Sequence, residues 1–279
     1  MKGSWHGRVE APMRAVDALA QLSGLSRGAV KRAMNAGAAW TKEKGRRVRL
    51  RKATRLLPAG TPVWLYYDEA VLSQPIPEAQ CVRREKGWSV WFKPAGLLTQ
   101  GNQWGDAASL LRQAERALGR PVWLVHRLDR ETAGLVLLAH HRQAAGALSR
   151  QFQQRQVEKG YRAWVKGEVR EGGMIALALD GKPARTRFEV VRTVAAPLPM
   201  TEVDITLETG RLHQIRRHFA ELGHPVVGDP RYGGAAPLPL QLLAYRLRFR
   251  DLSDKVIEAG WPRAQWAEAG FYQREEGVA

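Results

Sequence analysis

One acidic side chain, Asp129, stands between two arginines, Arg127 and Arg130, in a polar stretch of the chain. Apolar runs flank this stretch on both sides, Val122–Val125 before it and Leu135–Ala139 after it. Each run is too short to span a membrane and rich enough in valine and leucine to form a buried strand. A loop between two buried strands can hold reactive side chains in fixed positions, so Asp129 is a candidate catalytic carboxylate. The alternative is a surface turn in which the three charged side chains pair loosely in water.

A second stretch that could contribute to chemistry is Thr209–Tyr232. Its pattern predicts a helix from Leu212 to Leu222 that ends at Gly223. Four apolar side chains at helical spacing form one stripe along it: Leu212, Ile215, Phe219 and Leu222. Arg216 lies at the border of this stripe, where its stem can cover apolar surface and its guanidinium needs a carboxylate partner. No carboxylate or cysteine stands at metal-ligand spacing from the histidines of this stretch, so we expect no metal site.

The composition favours a polyanionic partner. The chain has 44 Lys and Arg against 27 Asp and Glu, which gives a formal net charge of +17 and a pI near 10.6. So large an excess favours binding to a nucleic acid with salt-dependent affinity, although a protein that is merely basic for solubility is the alternative. The single cysteine, Cys81, excludes an internal disulfide framework and fits a reducing compartment.

The distribution of apolar residues indicates neither a secretory signal nor a membrane span. The first ten residues, MKGSWHGRVE, contain no apolar core of a secretory signal. No apolar run approaches the length of a membrane span. We therefore expect a cytoplasmic protein that does not interact with membranes.

The first seventy residues predict a small basic α/β unit. Two short helices, Ala15–Leu22 and Arg27–Ala36, precede a stretch dense in lysine and arginine, Thr41–Leu57, in which Gly45 marks a turn. A strand, Thr61–Tyr67, closes the unit. The sequence thus predicts a pair of helices, a basic hairpin and a final strand.

Three cations fall on one face of the second predicted helix, namely Arg27, Lys31 and Arg32. A basic helix face beside a basic hairpin suits the phosphate backbone of RNA, whereas the alternative is an ordinary solvated charged face. The order of the elements and the run Gly24–Gly37 resemble the S-four-like RNA-binding domain. The resemblance implies that these three side chains bind RNA.

The rest of the chain predicts a larger domain. Residues 73–81 contain two prolines and no periodicity, so we place a linker there, between a domain at 1–72 and a domain at 82–279. The second domain shows these strand and helix candidates: Trp88–Phe92, Ala107–Ala117 (helix), Arg142–Arg155 (helix), Tyr161–Val169, Arg185–Val194 and Thr201–Leu207. The pattern predicts an α+β fold with a mixed, mainly antiparallel sheet as its core and flanking helices.

Four motifs in this second domain resemble those of one enzyme family. His126–Gly134, HRLDRETAG, is similar to the HRLDxxTSG signature of the RluA-type pseudouridine synthases, apart from Ala133 in place of the usual serine. The segment Gly210–Asp229 resembles the family's GRTHQIR…GHPIxGD segment. Lys93–Gly96 matches its KPxG motif and Lys159–Ala163 its KxYxA motif. The four occur in family order.

The resemblance implies an RNA pseudouridine synthase, an isomerase that needs no cofactor and no metal. It assigns the essential aspartate to Asp129, as nucleophile at the anomeric carbon or as base for the ribose 2′ proton, and both roles remain open. Arg216 is implied as the cationic partner of this carboxylate. Tyr161 is implied as the aromatic residue of the pocket, and Leu243 as an apolar residue on the other side of the base.

The resemblance further implies that the target uridine leaves its stack and that Arg127 fills the vacated space. We expect Arg130 and Lys93 to contact the RNA as well, and His126 either to contact the RNA backbone or to have a structural role. The expected partner is RNA, with ribosomal RNA preferred and transfer RNA as the alternative, and the expected state is a monomer. A different function, that of a non-catalytic RNA-binding or ribosome-assembly factor that keeps the fold, is the alternative to catalysis.

Overall fold

The computed structural model describes residues 1–195, 199–234 and 238–272 of the chain. Within these residues the strands are β1 Lys2–Arg8, β2 Met13–Arg14, β3 Ala39–Glu43, β4 Arg46–Arg49, β5 Leu56–Leu57, β6 Pro62–Asp68, β7 Gln80–Arg84, β8 Trp88–Lys93, β9 Trp123–Leu124, β10 Ala133–Ala139, β11 Glu158–Lys166, β12 Gly173–Ile175, β13 Thr186–Val194, β14 Met200–Leu207, β15 Leu242–Arg250 and β16 Val256–Gly260. The helices are α1 Ala15–Ser23, α2 Arg27–Asn35, α3 Glu69–Ser73, α4 Leu110–Leu118, α5 Arg142–Gln153 and α6 Gln214–Glu221, with a short 3-10 helix at Arg263–Gln265.

The chain folds into two compact units. The first consists of Met1–Pro77 together with Leu98–Ala117, and the second of Glu78–Leu97 together with Leu118–Ala279. The sequence placed residues 98–117 in the second domain, whereas the structure groups them with the first. The physical reason is a pair of arginines, Arg49 and Arg51, whose guanidinium groups both bind the carboxylate of Asp106.

The first unit is a four-stranded antiparallel sheet in the order β1-β6-β3-β4, with all of its residues described. Helices α1 and α2 pack on one face of it, and their apolar stripes bury Leu19, Val30 and Met34 against Val63 and Leu65. Burial of such a stripe is the main source of stability for helices this short. The predicted helices, hairpin and final strand are present, while β1 is an additional strand that the sequence analysis missed.

Local residue types explain where the two helices begin and end. Gly24 adopts a left-handed conformation (φ 70°) that ends α1, and its N–H donates to the Ala20 carbonyl. The Ser26 side chain accepts a hydrogen bond from the Ala29 N–H and so caps the start of α2. These caps set the direction of α2 and leave its polar face, with Arg27, outside the core.

The second unit is built on one large sheet. Among the described residues its strands follow the order β12-β13-β14-β11-β15-β10-β8-β7, with β16 on β15 and β9 on β10. Only the short contact of β10 with β15 is parallel, and the other pairs in this region are antiparallel. The fold prediction of a mainly antiparallel α+β core is thereby confirmed.

Two neighbouring strands of this sheet, β8 and β10, are buried along their whole length. Aromatic pairs fill one side: Trp88 meets Phe249 edge-on at 5.1 Å, and Phe92 stacks on Trp261 at 3.9 Å. The loop that carries Asp129 therefore leads directly into a fully buried strand, β10. None of the helices that the structure describes is long and apolar enough to cross a membrane.

Candidate active site

The loop between β9 and β10 holds Asp129. The two strands pair antiparallel, and the loop connects them as the sequence predicted. Gly134, at the start of β10, has φ 134°, and a Cβ at this position would lie 2.3 Å from the Ala244 carbonyl oxygen of β15. Only glycine permits this approach of the two backbones. It brings the loop that precedes Gly134 to the edge of β15 and thus fixes the position of Asp129.

His126, a half-buried residue, orients the start of this loop. Its Nε2 accepts a hydrogen bond from the Leu137 N–H at 2.9 Å, and its ring stacks on Phe152 at 4.4 Å. Burial, together with the charge of Lys159, lowers the pKa of His126 to about 3, so the imidazole is neutral at physiological pH. Of the two predicted roles of His126, these contacts favour the structural one, although the residue also lines the cavity described below.

Lys93 supports the other end of the loop and is fully buried. Its Nζ donates to three backbone carbonyls, those of Pro94, Leu97 and Arg130, at 2.8 to 3.1 Å. Burial lowers the pKa of Lys93 to about 7, against the opposing charges of Glu131 and Asp129. Lys93 was predicted to contact RNA. The buried Nζ of Lys93 instead ties the KPAG turn to the residue that follows Asp129, so a direct contact with RNA is not available to it.

An open cavity of about 640 Å³ lies in front of Asp129. Asp129, with 19% of its side chain exposed, lies on the wall of this cavity beside Arg127 and Tyr161. The volume suits a nucleoside-sized group. Leu242 lines the cavity, whereas Leu243 points into the core on the other side of the sheet. The prediction of Leu243 as a lining residue is thus corrected to its neighbour, because side chains alternate along a strand.

Tyr161 lies on β11 and is almost completely buried. Burial, and then the negative charge of Asp129, raises the pKa of its phenol above the usual value. Tyr161 is therefore a protonated phenol near a carboxylate. The structure thus brings two of the predicted site residues, Tyr161 and Asp129, into the same cavity.

Arg216 reaches the same cavity from α6. Only 2% of its surface is exposed, and its Nη1 lies 3.7 Å from one oxygen of Asp129 and 3.7 Å from one oxygen of Glu131. Its principal partner is a residue that the sequence analysis did not select. Nε and Nη2 donate to the two carboxylate oxygens of Asp229 at 2.7 and 2.8 Å. The predicted pairing with Asp129 therefore exists as a longer contact beside a bidentate pair.

The buried carboxylate of Asp229 is fully satisfied by donors. One of its oxygens also accepts hydrogen bonds from the backbone N–H groups of Arg231 and Tyr232 at 2.9 and 3.1 Å. Burial alone would raise the pKa of Asp229, but the bonds and charge of Arg216 and these amides lower it. For Arg216 the desolvation effect of burial is likewise outweighed by Asp229, and its pKa is raised. Both groups remain charged.

The start of α6 differs from the sequence prediction. His213 adopts a left-handed conformation (φ 53°), so the helix begins at Gln214 and not at Leu212. Leu212 and Leu222 are 59% and 44% exposed, and the apolar stripe is therefore shorter than predicted. The Gln214 amide bonds to Thr209, the Arg211 N–H, Thr186 and the Arg185 carbonyl, which anchors the helix start. This places His213 over the cavity.

His213 is the second site residue that the sequence analysis missed. Its Nε2 lies 3.7 Å from Asp129, and its Nδ1 shares a 3.0 Å hydrogen bond with the Tyr232 hydroxyl. Burial lowers the pKa of His213, with the charge of Asp129 acting in the opposite direction. Neither His213 nor Asp229 stood out by type or spacing alone. Both belong to the segment Gly210–Asp229 whose motif was recognised, and that was the available signal.

The remaining predicted RNA contacts lie on the surface. Arg127 is exposed at the rim of the cavity. Arg130 is exposed, and its Nε donates to the Gly96 carbonyl at 3.0 Å. In the first unit Lys31 and Arg32 are exposed on α2, and Arg27 pairs with Asp17 while 72% of its side chain remains accessible. Among the residues that the structure describes, no group of three His, Cys, Asp or Glu side chains could hold a metal ion.

Comparison with known proteins decides the family. The profile of the RNA pseudouridylate synthase family matches residues 87–221. An uncharacterized RNA pseudouridine synthase of Aquifex aeolicus is 32% identical over 223 residues, which are 70% of this chain and 70% of that protein. The chain belongs to the RluA-type pseudouridine synthase family. The RluA-type signature falls on the loop that holds Asp129, and the family's second motif falls on the segment that holds Arg216 and Asp229.

Other RluA-type relatives match over a smaller share of their length. The ribosomal large subunit pseudouridine synthase D of Nitrosomonas europaea is 39% identical over 166 residues, 53% of this chain and 47% of the relative. This relative and an uncharacterized RNA pseudouridine synthase of Chloroflexus aurantiacus, which is 40% identical, are both about twice as long as the region they share with this chain. The chain therefore spans about half the length of each. The structure of human RNA pseudouridylate synthase domain containing 1 has the same fold, with a TM-score of 0.60 and 24% identity over 73% of this chain and 94% of that one.

Proposed function

We propose that the protein isomerises uridine in RNA to pseudouridine, with Asp129 as the reacting carboxylate. The observation that supports this most directly is the position of Asp129 on the wall of a nucleoside-sized cavity, with Arg216 at 3.7 Å and the Tyr161 phenol nearby. A carboxylate, a fixed cation and an aromatic side chain are the groups that this isomerisation needs. A protein that only binds RNA has no physical need for the three together.

The reaction breaks the bond between N1 of uracil and C1′ of the ribose and forms a bond between C5 and C1′. The C5 proton is lost and N1 gains a proton, so the atoms balance without an external reactant. Ionised Asp129 can attack C1′ as a nucleophile, or it can remove the ribose 2′ proton as a base. Both roles use the same carboxylate, and both benefit from the neighbouring positive charge of Arg216.

Tyr161 is proposed to form a wall for the uracil ring. Its aromatic face suits stacking on the base while the base turns. Because its pKa is raised, the hydroxyl is protonated at neutral pH and can donate a hydrogen bond to a uracil oxygen. Help in removing the C5 proton would then require that Tyr161 passes its own proton on in the same step.

The RNA is proposed to lose one base from its stack to this cavity, since Asp129 cannot be reached inside a helix. Arg127, exposed at the rim, is proposed to occupy the vacated space with its guanidinium plane. Exposed cations of α2 are proposed to hold the phosphate backbone. A structured RNA, with ribosomal RNA preferred, is the proposed substrate. The name of the Nitrosomonas relative supports this preference. A monomeric state and a cytoplasmic location stay predictions.

Two substitutions that each remove one negative charge near Arg216 test the assignment of Asp129. Asp129→Asn is expected to abolish pseudouridine formation and to leave RNA affinity nearly unchanged. Glu131→Gln removes the same charge at the same 3.7 Å distance from Arg216, but Glu131 does not line the cavity, so activity is expected to persist. Pseudouridine is mapped in cellular RNA with the wild type, with each variant and without the protein. If Asp129→Asn still forms pseudouridine, or if the wild type binds RNA and modifies nothing, a non-catalytic assembly factor becomes the better description.

A further inference from the structure

The sheet of the first unit has a second face that the helices do not cover. On β6, the buried residues Val63, Leu65 and Tyr67 alternate with Trp64 and Tyr66. Helices α1 and α2 pack on the side of the buried residues, so Trp64 and Tyr66 lie on the opposite side. The register pairs Trp40 of β3 with Trp64 and places Arg47 of β4 on the same side. We call Trp40, Trp64, Tyr66 and Arg47 the aromatic face.

Within this aromatic face, the guanidinium group of Arg47 lies over the three rings. Its guanidinium carbon is 4.5 Å from the centre of the Trp64 ring, 5.2 Å from Trp40 and 5.3 Å from Tyr66. One guanidinium nitrogen donates to the Tyr66 hydroxyl at 2.8 Å, and the side chain as a whole remains exposed. The result is a planar cation held on a layer of rings, a surface on which another planar group can stack.

The rings themselves are held in position by their surroundings. The Trp40 indole N–H donates to the Gln103 carbonyl at 3.1 Å. Trp104 meets Tyr66 edge-on at 5.5 Å and extends the aromatic layer, and the Lys2 ammonium lies 5.1 Å from the centre of the Trp104 ring. All of these contacts lie within the first unit. A ligand that stacks here would not have to order these rings first.

The hairpin beside the aromatic face carries unpaired positive charge. Within the first unit, which the structure describes completely, Lys42, Lys44, Arg46 and Arg47 are exposed and form no salt bridge, while Glu43 between them pairs with Arg55. Flat rings with a row of cations at their edge match a single strand of nucleic acid. The rings and Arg47 suit its bases, and the cations suit its phosphates.

We propose that the aromatic face binds unpaired nucleotides of the RNA, with at least one base stacked on Arg47 or on the rings below it. The proposal rests on the proposed function only in taking RNA as the partner. A double helix could use the cations of the hairpin but not the aromatic face, because its bases are already stacked on each other. The first unit then has two RNA-binding sides of different chemistry, α2 for phosphates and the aromatic face for bases.

The test is the affinity of the full-length protein for single-stranded oligocytidine of about ten nucleotides, a length within the usual range of such sites. Oligocytidine contains no uracil, so the cavity at Asp129 has no substrate to hold. Arg47→Ala and Arg47→Lys are both expected to weaken binding about five-fold or more, the lower end of what one stacked base contributes. Arg47→Lys keeps the charge and loses only the planar group. Because it keeps the charge, Arg47→Lys is not expected to change affinity for duplex RNA of the same length by more than about two-fold.

Arg46→Ala is the matched control, because Arg46 precedes Arg47 on β4 and points to the opposite side of the strand. It is expected to change affinity for oligocytidine less than Arg47→Lys does. The proposal is overturned if the wild type does not bind oligocytidine, if Arg47→Lys binds it as the wild type does, or if Arg46→Ala costs as much as Arg47→Ala. Asp129→Asn is expected to bind oligocytidine normally. If Asp129→Asn loses isomerisation and still binds oligocytidine, the two sites act separately. If the wild type forms pseudouridine but does not bind oligocytidine, only the inference about the aromatic face is refuted.

Discussion

Arg216 donates two hydrogen bonds to Asp229, at 2.7 and 2.8 Å, and approaches Asp129 only to 3.7 Å. The bidentate pair holds the guanidinium plane, and Nη1 is the part of the group that is left to face the cavity. Asp229 therefore acts on the candidate reaction through the orientation of Arg216. A lone lysine at position 216 could supply the charge but not this geometry.

Breaking this buried pair is expected to cost both stability and activity. Arg216→Met and Asp229→Asn should each lower the free energy of unfolding by about 3–5 kcal/mol, because either change breaks a buried, bidentate ion pair. Denaturant unfolding measures this, and pseudouridine formation should be lost in Arg216→Met. The control is Arg217→Met, the adjacent arginine, which pairs with the exposed Asp180 at 2.9 Å. If Arg217→Met destabilises the protein as much as Arg216→Met, burial of the pair is not the cause.

The same pair predicts how stability responds to acid. The pKa of Asp229 is lowered in the folded state, so the unfolded chain takes up a proton first as the pH falls. The stabilisation is complete above the ordinary aspartate pKa of 3.8 and is lost as the pH falls toward the lower folded value. Asp229→Asn should therefore show a flatter loss of stability below about pH 4 than the wild type. Parallel curves in acid unfolding experiments would contradict this assignment.

Tyr161 is expected to work as a phenol and not as a phenolate. Its pKa is raised above the usual 10, so the hydroxyl remains protonated between pH 7 and 9. A rate that depended on the phenolate would rise about ten-fold per pH unit over this range. We expect no such rise in the single-turnover rate of the wild type. Tyr161→Phe, which keeps the ring and its packing, should bind RNA normally and react more slowly, and an unchanged rate would show that the ring alone is sufficient.

The lowered pKa of Lys93 predicts that its contribution to the free energy of unfolding changes above pH 7. Burial lowers its pKa from 10.5 to about 7, so between these values the unfolded chain binds a proton that the folded protein has released. The contribution of Lys93 to the free energy of unfolding should increase with pH in this window, by at most about 1.4 kcal/mol per pH unit. Unfolding of wild type and Lys93→Met at pH 7, 8 and 9 measures the difference in slope. Equal slopes would mean that the three carbonyls keep Lys93 charged.

The cations of α2 are expected to contribute to RNA affinity through charge alone. Replacing Lys31 and Arg32 together by glutamine should reduce the slope of log affinity against log salt by about 2 and should not alter sequence preference. Substitution is a cleaner test than deletion of residues 1–72, because the deletion would also remove the two arginine partners of Asp106. The control is Lys255→Gln, an exposed lysine of the second unit. An unchanged slope in the double variant would exclude α2 from the RNA interface.

The sequence by itself determined the family, because the family is recognised from short contiguous motifs. The motif His126–Gly134 marks the loop, and the flanking valines and leucines predict the two strands beside it. The structure shows both, β9 as a two-residue, half-buried strand and β10 as a fully buried one. The helices of the first unit follow in the same way from local signals, a serine cap and a terminal glycine. Such features are readable because the interactions that create them join residues a few positions apart.

Tertiary structure alone decided which partners each of these residues has. Asp229 meets Arg216 across a helix and a turn, and Lys93 turns inward to carbonyls up to 37 residues away, although a lysine in a polar motif favours a surface position. Leu242 and not Leu243 faces the cavity, because the register of β15 against β10 selects the side of the sheet on which each residue lies. These relationships come from packing between segments distant in the chain, and the residue types of any one segment are compatible with several such arrangements.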